Sequence, residues 1–185
     1  MIKSLSLGIV LSSVVLVGGM LEISANAKTR IYRPISNTQT PTTNKPSSTN
    51  NTQSTDSATI EQAVHTQINQ YRQQRGLSPL TIDKNISDIA RTHSQNMAKG
   101  TVPFSHNGFQ ERVGAIALTI SYNSAAENVA YNMGYTDPAT KAVQGWLNST
   151  GHRQNIEGNY NMTGIGVAMN AKGEYYFTQL FIRSR

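Results

Sequence analysis

The sequence predicts an α+β domain built on an antiparallel sheet, and three observations predict it. Its first half carries apolar residues at helical spacing, and its end carries two strand-like runs around a short turn. No βαβ rhythm connects them, so layered helices over a meandering sheet are favoured over a parallel α/β fold. Each element can be justified in order. Ile60, Val64, Ile68 and Tyr71 share one helical face, with Thr59 and Gln62 as a capping box and Gly76 as the stop. Ile86, Ile89, Ala90, His93 and Met97 form the stripe of a second helix that Gly100 ends, and Phe109, Val113 and Ile116 form a short third. Asp137-Pro138 is an N-cap followed by proline at the first helical position, and Ala139, Ala142, Val143, Trp146 and Leu147 face inward from that helix. "WLNSTGHRQNI" at 146–156 then reads as a helix end followed by an exposed elbow. "AENVAYNM" (126–133) alternates weakly as a strand, while "TGIGVAM" (163–169) and "YYFTQLFI" (175–182) flank "NAKGE" as a hairpin.

The remainder of the 185 residues is of a different kind. Residues 1–27 have a lysine near the start, an apolar run from Leu5 to Leu21, and "ANA" at 25–27, the pattern of a secretory signal cleaved after Ala27. The run is long enough that an uncleaved N-terminal anchor is the alternative. Of residues 28–57, 22 of 30 are Ser, Thr, Asn, Gln or Pro, too polar to offset their chain entropy, and the stretch is expected to be a disordered tether. The domain is thus expected over 58–185. There is no cysteine, so no disulfide assists it. Half of the net charge of +6 falls in the tether, where Lys28, Arg30, Arg33 and Lys45 meet only Asp56. The domain has no basic block, which excludes a nucleic-acid footprint, and a monomer is expected.

Four histidines can be weighed. His65 falls on the polar side of the first helix, and His93 on the core side of the second. His106 sits in the polar loop "PFSHNGF", and loops on rigid scaffolds are where sites concentrate. Glu127 lies among small apolar residues of a strand, where a carboxylate needs an ion pair, with Arg112 or Arg153, or a shifted pKa. His152 and Arg153 either cap the preceding helix or form a wall of a site. Two imidazoles and one carboxylate (His106, Glu127 and His152) would suffice for an open divalent-metal site, zinc for example, although no H-E-x-x-H pattern is present.

Taken in order, "ARTHSQNMAKG", "FSHNGFQERV", "AENVA", "WLNSTGHRQNI" and "GIGVAMNAKGEYYFTQLF" resemble the successive blocks of a bacterial CAP (or SCP) domain, over about residues 60–182. The resemblance implies an α-β-α sandwich with helices on both faces of a small antiparallel sheet. It also implies a cleft lined in many members by two His and two Glu. His106 and Glu127 match half of that tetrad, whereas its second Glu falls on Ser149 and its second His on Tyr176. The bacterial "GHR" block, His152-Arg153, is expected to supply the missing imidazole from another direction. Further departures are Ala126 for the usual glycine, Thr150 for a proline and Glu157 for a leucine. The expectation is an exported binding module whose cleft holds His106, Glu127 and His152, with Asn128, Arg153 and Tyr176 lining it. Its ligand would be a small polar or amphipathic molecule or a lipid, with or without a divalent cation. A metal-assisted hydrolase with Glu127 as base, and an envelope-interaction protein with a merely structural cleft, are the alternatives. In an open cleft the carboxylate should raise the pKa of at least one histidine.

Overall fold

The computed structural model describes residues 9–11 and 49–185, with side chains from Asp56 onward. The Ala27 cleavage site and most of the leader and tether lie outside the described residues. Ile9–Leu11 form a short strand, β1, antiparallel to Val129–Tyr131. The first helix, α1, spans Thr49–Gln74, so it begins inside the stretch expected to be tether, and Thr59 is an interior residue instead of a cap. Once Ile60, Val64 and Ile68 anchor the helix, upstream residues extend it one hydrogen bond at a time without a new nucleus.

Strand β2 (Thr81–Ile82) leads into α2 (Lys84–Ala98), whose N-cap Asp83 accepts a hydrogen bond from the Ile86 amide at 2.9 Å. Helix α3 (Phe109–Ala117), strand β3 (Tyr122–Met133) and helix α4 (Pro138–Asn148) follow. As expected, Asp137 caps α4, accepting from the Thr140 amide at 2.9 Å. The elbow is the main difference. Residues Thr150–Glu157 form a fifth helix, α5, that turns the chain back onto the sheet. Strands β4 (Met162–Met169) and β5 (Glu174–Ser184) make the expected hairpin.

The sheet order is β1-β3-β5-β4-β2, antiparallel except for the β2–β4 pair. Alternation of side chains along the strands sends them to two cores. On one face Ala126, Ala130, Ile165, Phe177 and Phe181 pack with Val64 and Ile68 of α1, Trp146 of α4 and Ile156 of α5. On the other, Ala125, Leu180 and Ile182 pack with Ile86 and Ala90 of α2 and Val113 and Ile116 of α3. This is the helix–sheet–helix sandwich that the resemblance implied. The "GIG" of β4 has a direct reason. A Cβ on Gly166 would lie 2.0 Å from the Arg91 amide nitrogen, and one on Gly164 2.3 Å from the Ile86 carbonyl carbon. Only bare backbone at both positions lets α2 approach so closely.

Helix α5 is fixed from two sides. Arg72 of α1, 2% exposed, donates to the carbonyls of Ser78 (2.8 Å), Ile156 (2.6 Å), Gly158 (3.0 Å) and Tyr160 (3.3 Å), closing the C-terminal end of α5. From the other side, Asn155 donates to the Glu127 carbonyl at 3.2 Å. The helix therefore covers the β3 edge beside Glu127, next to the stretch that β1 covers.

Candidate functional site

Glu127 points to the α2–α3 face from the middle of β3 and is 1% exposed. Such a carboxylate requires donors, and the structure supplies them from one arginine and one histidine. Arg112 of α3 approaches in a fork, Nε to Oε2 at 2.7 Å and a terminal nitrogen to Oε1 at 2.8 Å. The same guanidinium donates to the carbonyls of Asn107 (2.9 Å) and His106 (3.3 Å), tying down the loop that carries His106. His106 Nδ1–H then donates to Glu127 Oε1 at 2.9 Å. Of the two ion pairs foreseen for Glu127, that with Arg112 is the one formed.

His152 does not project into solvent. It lies in the first turn of α5, is 1% exposed, and pairs its Nδ1 with Ser149 Oγ at 2.8 Å. Ser149 occupies the place that the family pattern gives to the second Glu, and its hydroxyl pairs with the His152 ring. Burial, with a smaller push from a charge on His106, lowers the His152 pKa to about 4. The expected upward shift of a histidine is thus not found at His152. The site is closed, and where no carboxylate touches a ring, desolvation prevails.

The two rings share one further property. His106 Nε2 and His152 Nε2 are both buried and have no hydrogen-bond partner. Buried polar groups in folded proteins are nearly always paired, and among the described residues only Asn132 Oδ1 and Gln179 Oε1 share this condition, so the two imidazoles define the candidate site.

The other expected site residues divide. Asn128 lies on the opposite face of β3 and is fully buried. It donates to the His152 carbonyl at 3.2 Å and accepts from Asn155 at 2.9 Å, so it braces α5 and does not line the site. The one-residue step along a strand puts its side chain on the other side from Glu127. Arg153 likewise turns away and donates to the Leu147 carbonyl at 2.9 Å, capping α4. The elbow therefore divides between its two residues: Arg153 caps α4, while His152 turns inward beside Ser149. Tyr176 is on the Glu127 face but further along the sheet. Its ring packs with Tyr131 and Phe104 at centroid separations of 5.2 and 6.4 Å, and its hydroxyl reaches Glu174 at 3.3 Å. Burial and Glu174 raise its pKa. Phe104 belongs to the His106 loop, so the aromatic trio lies beside that loop on the Glu127 face of the sheet.

Sequence reasoning missed two supports. Core-facing His93 donates from Nε2 to the Ser105 carbonyl at 2.9 Å, holding the His106 loop from below; burial, then the Arg112 charge, lowers its pKa. His65, expected to be solvated, instead pairs with the Leu80 carbonyl at 2.9 Å. Both partners are remote backbone carbonyls, which no side-chain pattern announces.

A divalent metal fits this donor set poorly. Zinc sites use three or four protein ligands. Here both oxygens of Glu127 are committed to Arg112 and His106, which leaves two imidazole nitrogens. Among the described residues no group of three His, Cys, Asp or Glu is placed to share an ion. The expected His106–Glu127–His152 metal triad is therefore not formed, because Arg112 takes the carboxylate that would complete it.

Comparison with known proteins agrees with this architecture. The model of CAP, the cysteine-rich secretory protein family, matches residues 65–181. The uncharacterized protein YkwD of Bacillus subtilis is 38% identical over 125 residues, 66% of this chain and 46% of its own length. The uncharacterized membrane protein YlbC of the same organism is 35% identical over 131 residues, 68% of this chain and 35% of its own length. The chain thus spans less than half the length of either relative. A crystal structure of an extracellular SCP-domain protein from Bacillus anthracis superposes with a TM-score of 0.59 at 28% identity, covering 76% of this chain and 45% of that one.

Proposed function

From the premise that the chain belongs to the cysteine-rich secretory protein (CAP) family, we propose that it is an exported, non-enzymatic binding module whose ligand is held at His106 and His152. The observation that carries the reading is the pair of buried, unpartnered imidazole nitrogens. Leaving each one unmade costs about 1–3 kcal/mol, a cost that a bound group removes. A hydrolytic role is disfavoured because its general base would be Glu127, whose lone pairs already serve Arg112 and His106. Export is supported by the signal-like residues 1–27 and by the extracellular origin of the Bacillus anthracis neighbour. Among the described residues no helix is long and apolar enough to cross a membrane.

Native mass spectrometry of the chain isolated from its own host tests this. The expected result is an N-terminus at Lys28 and a retained small molecule, without stoichiometric metal, that is lost on His152→Phe. A chain that retains nothing, with His106 and His152 unresponsive to every small molecule tried, would overturn the binding reading. Stoichiometric zinc would overturn the metal-free version of it.

A further inference from the structure

On the face of the sheet opposite Glu127 lies a cleft of about 530 Å³, a size that suits a small-molecule ligand. It opens between the start of β3, the C-terminal end of α5 and the end of β5. Alternation along the strands puts Ser124 and Arg183 on the side of Ala126 and Phe181, away from Glu127. Asn123, Gln154, Asn159 and Tyr160 also line it. The walls are held in place. The β3–β5 register slips between Tyr122 and Ser124, so Asn123 is the extra residue of a bulge, and Arg185 Nε donates to it at 3.0 Å. Asn161 and Ser184 tie the turn after α5 to β5 through bonds of 2.8 and 2.9 Å. Tyr160, 6% exposed, packs its ring on Phe181 at a centroid separation of 5.6 Å. A Cβ on Gly158 would lie 2.4 Å from Tyr160 Cε2, so glycine is what lets that ring fold over the turn.

The charge in this cleft is unusual for the molecule. Arg72, Arg75, Arg91, Arg112, Arg153 and Arg185 each reach a carbonyl, carboxylate or amide oxygen. Half-buried Arg183 reaches none. Among the described residues it has no ion pair or side-chain hydrogen bond, and it is the only charged residue lining the cleft. The side-chain amides of Gln154 and Asn159 and the hydroxyl of Tyr160 are also without partners among the described residues. We propose that the cleft binds a small acidic polyol, a carboxylate or phosphate on a hydroxyl-bearing body, with the acid on Arg183. A guanidinium stays charged at every physiological pH and presents a planar fork that matches either acid. Amide side chains both donate and accept, as hydroxyl groups require. Burial raises the Tyr160 pKa, so its hydroxyl stays protonated and donates to the ligand. The carbonyls at the end of α5 do not repel an anion here, because Arg72 already holds those of Ile156 and Gly158. A metal or ammonium ion would meet Arg183 and, among the lining residues, no carboxylate. An apolar ligand would desolvate these groups without replacing their hydrogen bonds. The site goes beyond the reading at His106 and His152 and does not depend on it.

Isothermal titration calorimetry of the full chain at fixed ionic strength tests this with sodium glucuronate, glycerol phosphate, methyl glucoside and sodium acetate. The expected result is saturable one-to-one binding of glucuronate, glycerol phosphate or both. Methyl glucoside and acetate, which each keep only part of the contacts, should bind at least about tenfold more weakly. The stronger acid tells whether the source is a carboxylated saccharide or a phosphorylated polyol. Arg183→Lys, which keeps the charge and loses the fork, should weaken binding about tenfold, and Arg183→Gln should abolish it. Neither should shift the melting temperature, since Arg183 holds no partner among the described residues. In 15N NMR the bound acid should move the side-chain amides of Gln154 and Asn159 and leave the His106 and His152 rings unmoved. Failure of both acids to bind saturably, equal binding of acetate or methyl glucoside, or binding that survives Arg183→Gln would overturn the proposal. Movement of the histidine rings instead of the two amides would overturn it as well, while supporting the reading at His106 and His152.

Discussion

Two buried carboxylates in this molecule each meet an arginine in a fork, yet they do different work. Glu61 of α1 accepts from Arg91 of α2 at 2.9 and 2.7 Å and from the Val167 amide at 2.9 Å. Every donor in that group ends on structure, and it joins α1, α2 and β4. The pairing raises the Arg91 pKa. Glu127 accepts from Arg112 at almost the same distances, but its third donor is a histidine instead of a backbone amide. That histidine carries a second nitrogen, and it is left over. The difference teaches how to tell a clamp from a site when both contain the same ion pair. In the clamp the hydrogen-bond accounting closes; at the candidate site His106 Nε2 and His152 Nε2 are buried without a partner.

Removing the two carboxylates should separate them most. Glu127→Ala leaves the Arg112 side chain, 10% exposed, without its partner and should cost about 3–5 kcal/mol of stability. Urea unfolding measures this, and a loss below 1 kcal/mol would mean that Arg112 finds water easily and the site is open. Next comes pH. The folded-state pKa of His152 is lowered to about 4 from a reference of 6.5. The unfolded chain therefore takes up a proton first on acidification. Stability should be full above about pH 6.5 and fall by roughly 3 kcal/mol as pH drops towards 4, with His93 acting in the same direction. The urea midpoint followed from pH 7 to 4 should show this slope, and His152→Gln should flatten it. A slope that survives the substitution would assign it to other groups.

Glu61→Ala should cost less than Glu127→Ala, about 1–3 kcal/mol. Arg91 is one-third exposed and can turn to water or rely on Asp88, which it already meets at 2.6 Å, so the chief loss is the Val167 amide's partner. Equal losses for the two alanine variants would erase the distinction between clamp and site. The smallest effect is expected at the other half of the elbow. Arg153→Ala removes one cap from α4 and should cost about 0.3–1 kcal/mol without altering the NMR signals of His106 or His152. If those signals moved, Arg153 would belong to the site after all.

What the sequence determined by itself is local. Ile86, Ala90 and Met97 at helical spacing, Asp137-Pro138 ahead of a stripe, and the hairpin around "NAKGE" each specify an element through contacts within a few residues, and these elements form as read. His106, Glu127 and His152 were likewise legible as candidates, because a loop histidine, a strand carboxylate and the order of five blocks are visible in one dimension. Tertiary structure decided which partners those residues meet. Helix α5 depends on Arg72, which is 84 residues from the Ile156 carbonyl it holds, and no periodicity in an eight-residue segment reveals such support. That helix turned His152 inward and left Arg153 outside. A single step of strand register put Asn128 on the opposite face from Glu127. Arg112 holds both oxygens of the Glu127 carboxylate, and burial lowered the pKa of His152 where an open cleft had been expected to let a carboxylate raise it. Each of these outcomes depends on which groups exclude water from which others, and that is settled only when the three layers close.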